Sequence, residues 1–167
     1  MRETPEDLGW LQDLLDRSYA QAGEHLASIH TDAARLTATD LVERMTGMQV
    51  LVVATVTADG RPLTGPVDSY LYRGRLLFGT SPTAVRTMHL ARNPAISATH
   101  VRGESLVVTV HGRARRLDGA ELAAYSDLGR EHYGAQWDEW HETDVPAWVI
   151  EPDRMFAADM SVHLQGG

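Results

Sequence analysis

Gln49-Val50-Leu51-Val52-Val53-Ala54-Thr55-Val56-Thr57, then Ala58-Asp59-Gly60-Arg61, then a second extended run from Leu63 to Tyr72, is the stretch on which the fold turns. The first run is rich in β-branched residues and too short for an independent long helix, so it reads as a strand. Asp59-Gly60 between two extended runs predicts a hairpin, because such a turn needs positive φ, which glycine and aspartate tolerate. Gly65-Pro66 interrupts the second run. A proline takes a donor out of the ladder, so a bend, a bulge or an edge position is expected there.

Downstream, Arg73-Gly74 turns the chain into a third strand, Arg75-Leu76-Leu77-Phe78-Gly79-Thr80. Ser81-Pro82 then supplies an N-cap followed by proline at the first helical position, predicting a helix that ends around Arg92-Asn93-Pro94. Strands resume over Ala95 to Val101. From Ser105 to Arg115 the chain alternates, with Leu106, Val108, Val110 and Gly112 on one side and Val107, Thr109, His111, Arg113 and Arg115 on the other. Residues 119 to 142 read as one or two helices broken near Gly134, followed by two last short strands, Ala147 to Glu151 and Arg154 to Ala158. Upstream, Leu8, Leu11, Leu14, Leu15, Ala22, Leu26 and Ile29, spaced by three and four within residues 5 to 29, mark one amphipathic helix. A second helix begins at a Thr39 N-cap and stops at Gly47. Hairpin-linked strands with a single helix between the third and fourth form an antiparallel pattern rather than an alternating βαβ one. The expected class is mainly β with attached helices (α+β), a small barrel.

The 167 residues suit a single core, and 43% hydrophobic with 23% charged residues is ample for one. No apolar run approaches the roughly 20 residues that a membrane span needs, and the acidic start differs from a signal peptide, so the expected location is cytoplasmic. The chain has no cysteine, which excludes disulfides, thiol nucleophiles and thiolate-held metals. All 15 basic residues are arginine, which excludes Schiff-base chemistry by lysine. A net charge of −8 argues against nucleic acid and anionic membrane as partners. The distribution is uneven: residues 60 to 116 hold nine arginines against Asp68 and Glu104, so this stretch carries +7 and the remainder −15. A basic middle in an acidic chain suggests a compact anion such as a phosphate; the alternative is that these arginines pair with the chain's own acidic helices.

The third strand offers a place for that anion. It ends in Gly79 and the hydroxyl residues Thr80, Ser81 and Thr83, and a helix then starts, so backbone N–H groups and the positive end of the helix dipole converge. Arg86, one turn in, can reach back with a charge-assisted contact. The plainer reading of the same residues is an ordinary N-cap with a surface arginine.

The run from Val50 through Asp59-Gly60-Arg61-Pro62, Leu76 to Thr80, Arg86 and Asn93-Pro94 resembles the FMN-binding split-barrel superfamily, typified by pyridoxamine 5'-phosphate oxidase. Three features carry the resemblance over roughly residues 38 to 159: the Asp-Gly-Arg-Pro hairpin after a hydrophobic strand, a strand ending in threonine, and a basic residue eight positions before the proline of an Asn-Pro pair. The resemblance implies an antiparallel six-stranded split β-barrel over residues 38–167, with residues 1–37 as an N-terminal helical extension. It implies a homodimer holding FMN between subunits, with Thr80, Ser81 and Arg86 on the phosphate and the backbone around Pro62, Thr64 and Val67 beside the isoalloxazine ring. Many relatives have lysine at the Arg86 position and a basic or hydroxyl residue at that of Ala84. The basic C-terminal substrate motif of the oxidase is not found in Ala157 to His163. The expected function is therefore an FMN-binding oxidoreductase of this general type, moving hydride or electrons to a small molecule. A related branch uses an 8-hydroxy-5-deazaflavin coenzyme, and a non-catalytic flavin- or haem-binding protein is the further alternative.

Other constellations point less far. His132 and His141, with Glu131, Asp138 and Glu139, lack the spacing of a one-face metal pair and read as a solvated helix. His100 and His111 fall on barrel strands, where a haem ligand or a hydrogen-bonded strand residue is expected. Trp137, Trp140 and Trp148 suit core packing, or stacking on a flavin.

Overall fold

The computed structural model describes residues 2–140 and 145–163. Helix α1 (Pro5–Ala20) opens on a capping box between Thr4 and Asp7 and is followed by the short α2 (Glu24–Ile29). The single helix expected over residues 5 to 29 is thus interrupted, with Gln21 capping α1 and Gly23 opening α2. Helix α3 (Ala38–Arg44) is capped by Thr37 rather than Thr39, because Asp40 stands three residues on and completes a reciprocal box with Thr37.

Six strands follow: β1 (Met48–Val56), β2 (Pro62–Tyr72), β3 (Arg75–Gly79), β4 (Ala95–Arg102), β5 (Leu106–Arg116) and β6 (Ala147–Ala158), with α4 (Val85–Arg92) between β3 and β4 and α5 (Gly119–Tyr133) and α6 (Ala135–Trp140) between β5 and β6. They close antiparallel in the order β1-β2-β3-β6-β5-β4. The hairpin forms as expected, with Gly60 at φ +85° and the Thr57 N–H donating to Arg61 O at 2.9 Å. The two short strands expected at the C-terminus are one. A bulge opposite His111 and Gly112 takes up the extra residue at Asp153, and a side chain at Gly112 would meet Glu151 O at 2.1 Å.

Leu106, Val108 and Val110 point into the barrel as their alternation required, and α1 seals one end by burying Leu11, Leu14 and Leu15 in the same core. A second, outer core forms where α5 and α6 lie on the outside of β2, β3 and β6, burying Tyr70, Leu77, Val149, Tyr125, Leu128 and Trp137. Two seams are short. β1 meets β4 over three residue pairs, and β2 meets β3 only from Ser69 to Tyr72, so Pro62–Asp68 pairs with β1 alone. No helix among the described residues is long and apolar enough to cross a membrane.

Candidate functional site

Pro62–Asp68 of β2, paired with β1 on one side, leaves its other side as a free strand edge, and the chain leaving β3 runs beside it. Pro66 does not break the strand. It holds its place opposite Val52, and its carbonyl turns to the open side, where the N–H it lacks would also have pointed. Ser81 to Ala84 form one hydrogen-bonded turn, with Ala84 N–H on Ser81 O at 3.0 Å, and α4 starts only at Val85. The expected helix start at Ser81-Pro82 is therefore three residues early. Ser81 accepts from the Thr83 N–H and shares a 2.9 Å bond with the Thr83 hydroxyl, while no side chain caps the first turn of α4. Amides of that turn remain for an incoming acceptor.

Arg86 enters from α4. Its Nη1 donates to Pro66 O at 3.0 Å, and Nη2 lies so near Gly65 that a methyl there would come within 2.7 Å, so glycine is what lets the guanidinium reach the edge. Burial holds its pKa below the usual guanidinium value, and among the described residues it has no carboxylate partner. Three other arginines of the basic stretch are paired with carboxylates, Arg61 with Asp59, Arg75 with Glu151, and Arg115 with Glu121 and Glu151, whereas Arg92 and Arg102 donate to backbone carbonyls. One turn further along α4, His89 is buried against β1 with Nδ1 2.9 Å from the Thr55 hydroxyl, which fixes the helix and hence Arg86.

Two cavities lie along this edge. One of about 170 Å³ is lined by Thr55, Leu63, Thr64, Gly65, Val85 and Arg86. The other, about 400 Å³, is bounded by Asp68, Thr80, Ser81, Tyr125, Tyr133 and Trp140. Thr64 and Asp68 are four strand residues apart, about 13 Å. The residues read from sequence thus divide: Arg86 and Thr64 border the smaller cavity, Thr80 and Ser81 the larger, and the Thr87 hydroxyl ties the two by donating to Ser81 O at 2.9 Å. Pro62 is exposed at the hairpin end of the strand, and Val67, 8% exposed, turns its side chain into the barrel.

His89 and Asp68 were not distinguished by sequence. Asp68 stands on the outer face of β2, and its Oδ2 accepts a 2.6 Å bond from the Tyr133 hydroxyl on α5. Local burial, and after it that carboxylate, push the Tyr133 pKa up. Trp137 and Trp148 are buried, as core packing predicted, whereas Trp140 is half exposed. His100 is buried with Nδ1 3.0 Å from Val50 O, and His111 is exposed with Nδ1 2.8 Å from the Ser97 hydroxyl. Among the described residues no group of three or more His, Asp or Glu side chains could hold a metal; His141 lies outside them.

Solved structures share this architecture. A conserved hypothetical protein from Mycobacterium tuberculosis matches at 16% identity over 78% of this chain and 89% of its own, with a TM-score of 0.66. The haem storage protein HutZ of Vibrio cholerae matches at 20% identity over 72% and 93%, TM-score 0.62. An FAD-binding protein of Mesorhizobium loti matches at 19% over 74% and 93%, TM-score 0.57. Among curated proteins none matches. Residues 37–158, which contain all six strands of the barrel, match the family described as pyridoxamine 5'-phosphate oxidase, and the chain belongs to that family.

Proposed function

We propose that the chain binds FMN along the open edge of β2 and acts as an oxidoreductase of the pyridoxamine 5'-phosphate oxidase type, passing hydride or electrons to a small molecule. The observation that carries this is Arg86, a half-buried cation with no carboxylate partner among the described residues, held beside an uncapped helix start. Such a place suits a phosphate on three counts: a partly desolvated guanidinium, unclaimed first-turn amides, and the Ser81 and Thr83 hydroxyls. In this reading Arg86 leaves Pro66 O to take a phosphate oxygen, while Pro62, Thr64 and the backbone at Val67 flank the ring. Bound flavin supplies the redox chemistry, and the protein supplies position and electrostatics. An 8-hydroxy-5-deazaflavin coenzyme also carries phosphate and suits the same anchor.

A haem-binding reading rests on one observation, the exposed His111, whose Nδ1 is held by Ser97 while Nε2 is left to face outward. The absorption spectrum of the purified protein, followed by calorimetric titration with FMN, the deazaflavin coenzyme and haemin, separates these readings. FMN binding at about one per chain, and reduction of the bound flavin by NAD(P)H without oxygen, is the expected result. A haem spectrum that His111→Ala abolishes would replace it, and flavin that binds without being reduced would mean a carrier.

A further inference from the structure

The chain's five tyrosines and four tryptophans differ in how readily each could lose an electron. Oxidation leaves positive charge on a ring, and a cation beside that ring opposes it. Guanidiniums lie over Tyr19, Tyr72 and Trp10, at 4.5, 5.4 and 4.0 Å from the ring centroids. A tyrosine must also shed its phenolic proton, so a base has to hold the hydroxyl already. Tyr19 meets one in His30, but beneath the Arg35 guanidinium. Tyr70 has no hydrogen-bond partner for its hydroxyl, and Tyr125's meets the backbone at Gly79. Tyr133 alone among them donates to a carboxylate, Oδ2 of Asp68 at 2.6 Å. Its ring is packed by His132, Trp137 and Trp140, with centroids at 4.4, 6.1 and 5.1 Å. Trp140 is the member of this group that reaches solvent as a large aromatic face, being half exposed. The chain has no cysteine, so no thiol competes as the sink for an oxidising equivalent.

We propose that Tyr133 is a redox-active tyrosine, with Asp68 as its proton acceptor and Trp140 as its point of entry from solvent, and that its co-reactant is a one-electron oxidant such as an organic radical. Trp140 gives one electron to the oxidant, which is reduced. Tyr133 then gives one electron to the oxidised indole and restores it, because the two rings are in contact and electron exchange falls off steeply with distance. As the electron leaves, the phenolic O–H bond breaks and the proton passes to Asp68 Oδ2 along the existing hydrogen bond. One electron has left the protein, and one proton has moved within it. What remains is a neutral phenoxyl radical beside a protonated Asp68, walled in by His132 and Trp137. An electron from a reductant, with the proton returned by Asp68, regenerates the pair. The proposal goes beyond the flavin reading, since no step involves Arg86 or a bound cofactor.

The test uses the flavin-free chain and tris(bipyridine)ruthenium(III), generated by a laser flash, as the oxidant. Transient absorption and electron paramagnetic resonance should show a neutral tyrosyl radical growing in as a tryptophan radical decays. Asp68→Asn, which keeps the shape but is a far weaker base, should slow tyrosyl formation by roughly 100-fold, the contribution of a positioned proton acceptor. Trp140→Phe should lower the tyrosyl yield, and Tyr133→Phe should abolish the tyrosyl signal while leaving that of tryptophan. Thermal melts confirm that each variant is folded; should Tyr133→Phe not fold, the substitutions at the exposed Asp68 and half-exposed Trp140 decide the matter. No tyrosyl radical in the wild type, a tyrosyl signal that survives Tyr133→Phe, or formation at the wild-type rate in Asp68→Asn overturns the proposal. The last would make the carboxylate a structural partner alone. Because the chain carries no flavin in these measurements, none of their outcomes bears on the flavin reading, which the FMN titration decides.

Discussion

The barrel has two outer faces of similar composition and opposite fate. Outside β2, β3 and β6, the side chains of Tyr70, Leu77 and Val149 are buried beneath α5 and α6. Outside β1 and β4, Val50, Val52 and Val101 are 47%, 42% and 58% exposed. Nothing in their residue types separates these sets. What separates them is that the chain folds its own helices over one and not over the other. β1 is apolar on both faces, a pattern proper to a strand covered on both sides. The candidate site lies along β2, at the boundary between the roofed and the bare face.

The largest effect should come from the bare face. If a second copy covers it, light scattering at micromolar concentration reports a mass of two chains, and the interface exceeds about 1,000 Å². Val52→Asp, which sets a charge into each copy's patch, should then yield single chains that keep their β spectrum. A strictly monomeric wild type would mean that the bare face needs no cover.

At the boundary, Arg86→Ala should lower FMN affinity by about 10- to 150-fold, the loss of one charged hydrogen bond of roughly 1.5–3 kcal/mol. Riboflavin, lacking the phosphate, should bind both forms alike in the same calorimeter. Equal losses for the two ligands would make Arg86 a structural prop of the β2 edge.

Under the roof, a Cβ at Gly129 would meet the Trp137 ring at 2.3 Å, so Gly129→Ala should cost about 1–3 kcal/mol in urea denaturation by prising α6 from α5. A Cβ at Gly9 on α1 would meet nothing within 4 Å beyond its own helix backbone, and there the same substitution should stabilise by about 0.5–1 kcal/mol. If both changes behave alike, the roof is not tightly packed.

The smallest effect concerns acid. Thr37's hydroxyl holds the Asp40 carboxyl below the ordinary 3.8, as the Thr4 backbone does for Asp7 and the Ser161 hydroxyl for Asp159. A depressed folded-state pKa contributes stability that is fully present above the unfolded value and is lost as pH falls through the folded one. Stability should therefore fall below 3.8 through these groups, and Thr37→Ala should shrink that dependence along with the loss of about 1 kcal/mol for its cap. Urea titrations at successive pH values check both.

Strand identity was legible wherever local chemistry decides it. Asp59-Gly60 encodes its own turn, and the alternation from Leu106 to Val110 names its buried face. The junctions were less legible. Pro152 looks like the end of a strand until Gly112, forty residues earlier, is seen to admit the bulge across from it. Ser81 looks like a helix cap because a single turn and a first helical turn begin with the same residues. In the site, Arg86 was reachable from its spacing to Pro94. Asp68 and Tyr133 were not, since they stand 65 residues apart and meet only because α5 folds back over the sheet. His89 signals itself only by lying three residues beyond Arg86 on a helix whose inner face must touch the barrel.

The edge of β2 bears on how these molecules avoid one another. Half a strand with unsatisfied carbonyls and amides is a template onto which a foreign strand can add, the first step of fibrillar aggregation. Here Pro62 and Pro66 remove two donors from that row, and the Arg86 guanidinium occupies the Pro66 carbonyl. A chain approaching edge to edge finds an incomplete ladder and a positive charge in its path. The features that keep the edge open to a small anion also keep it closed to another polypeptide.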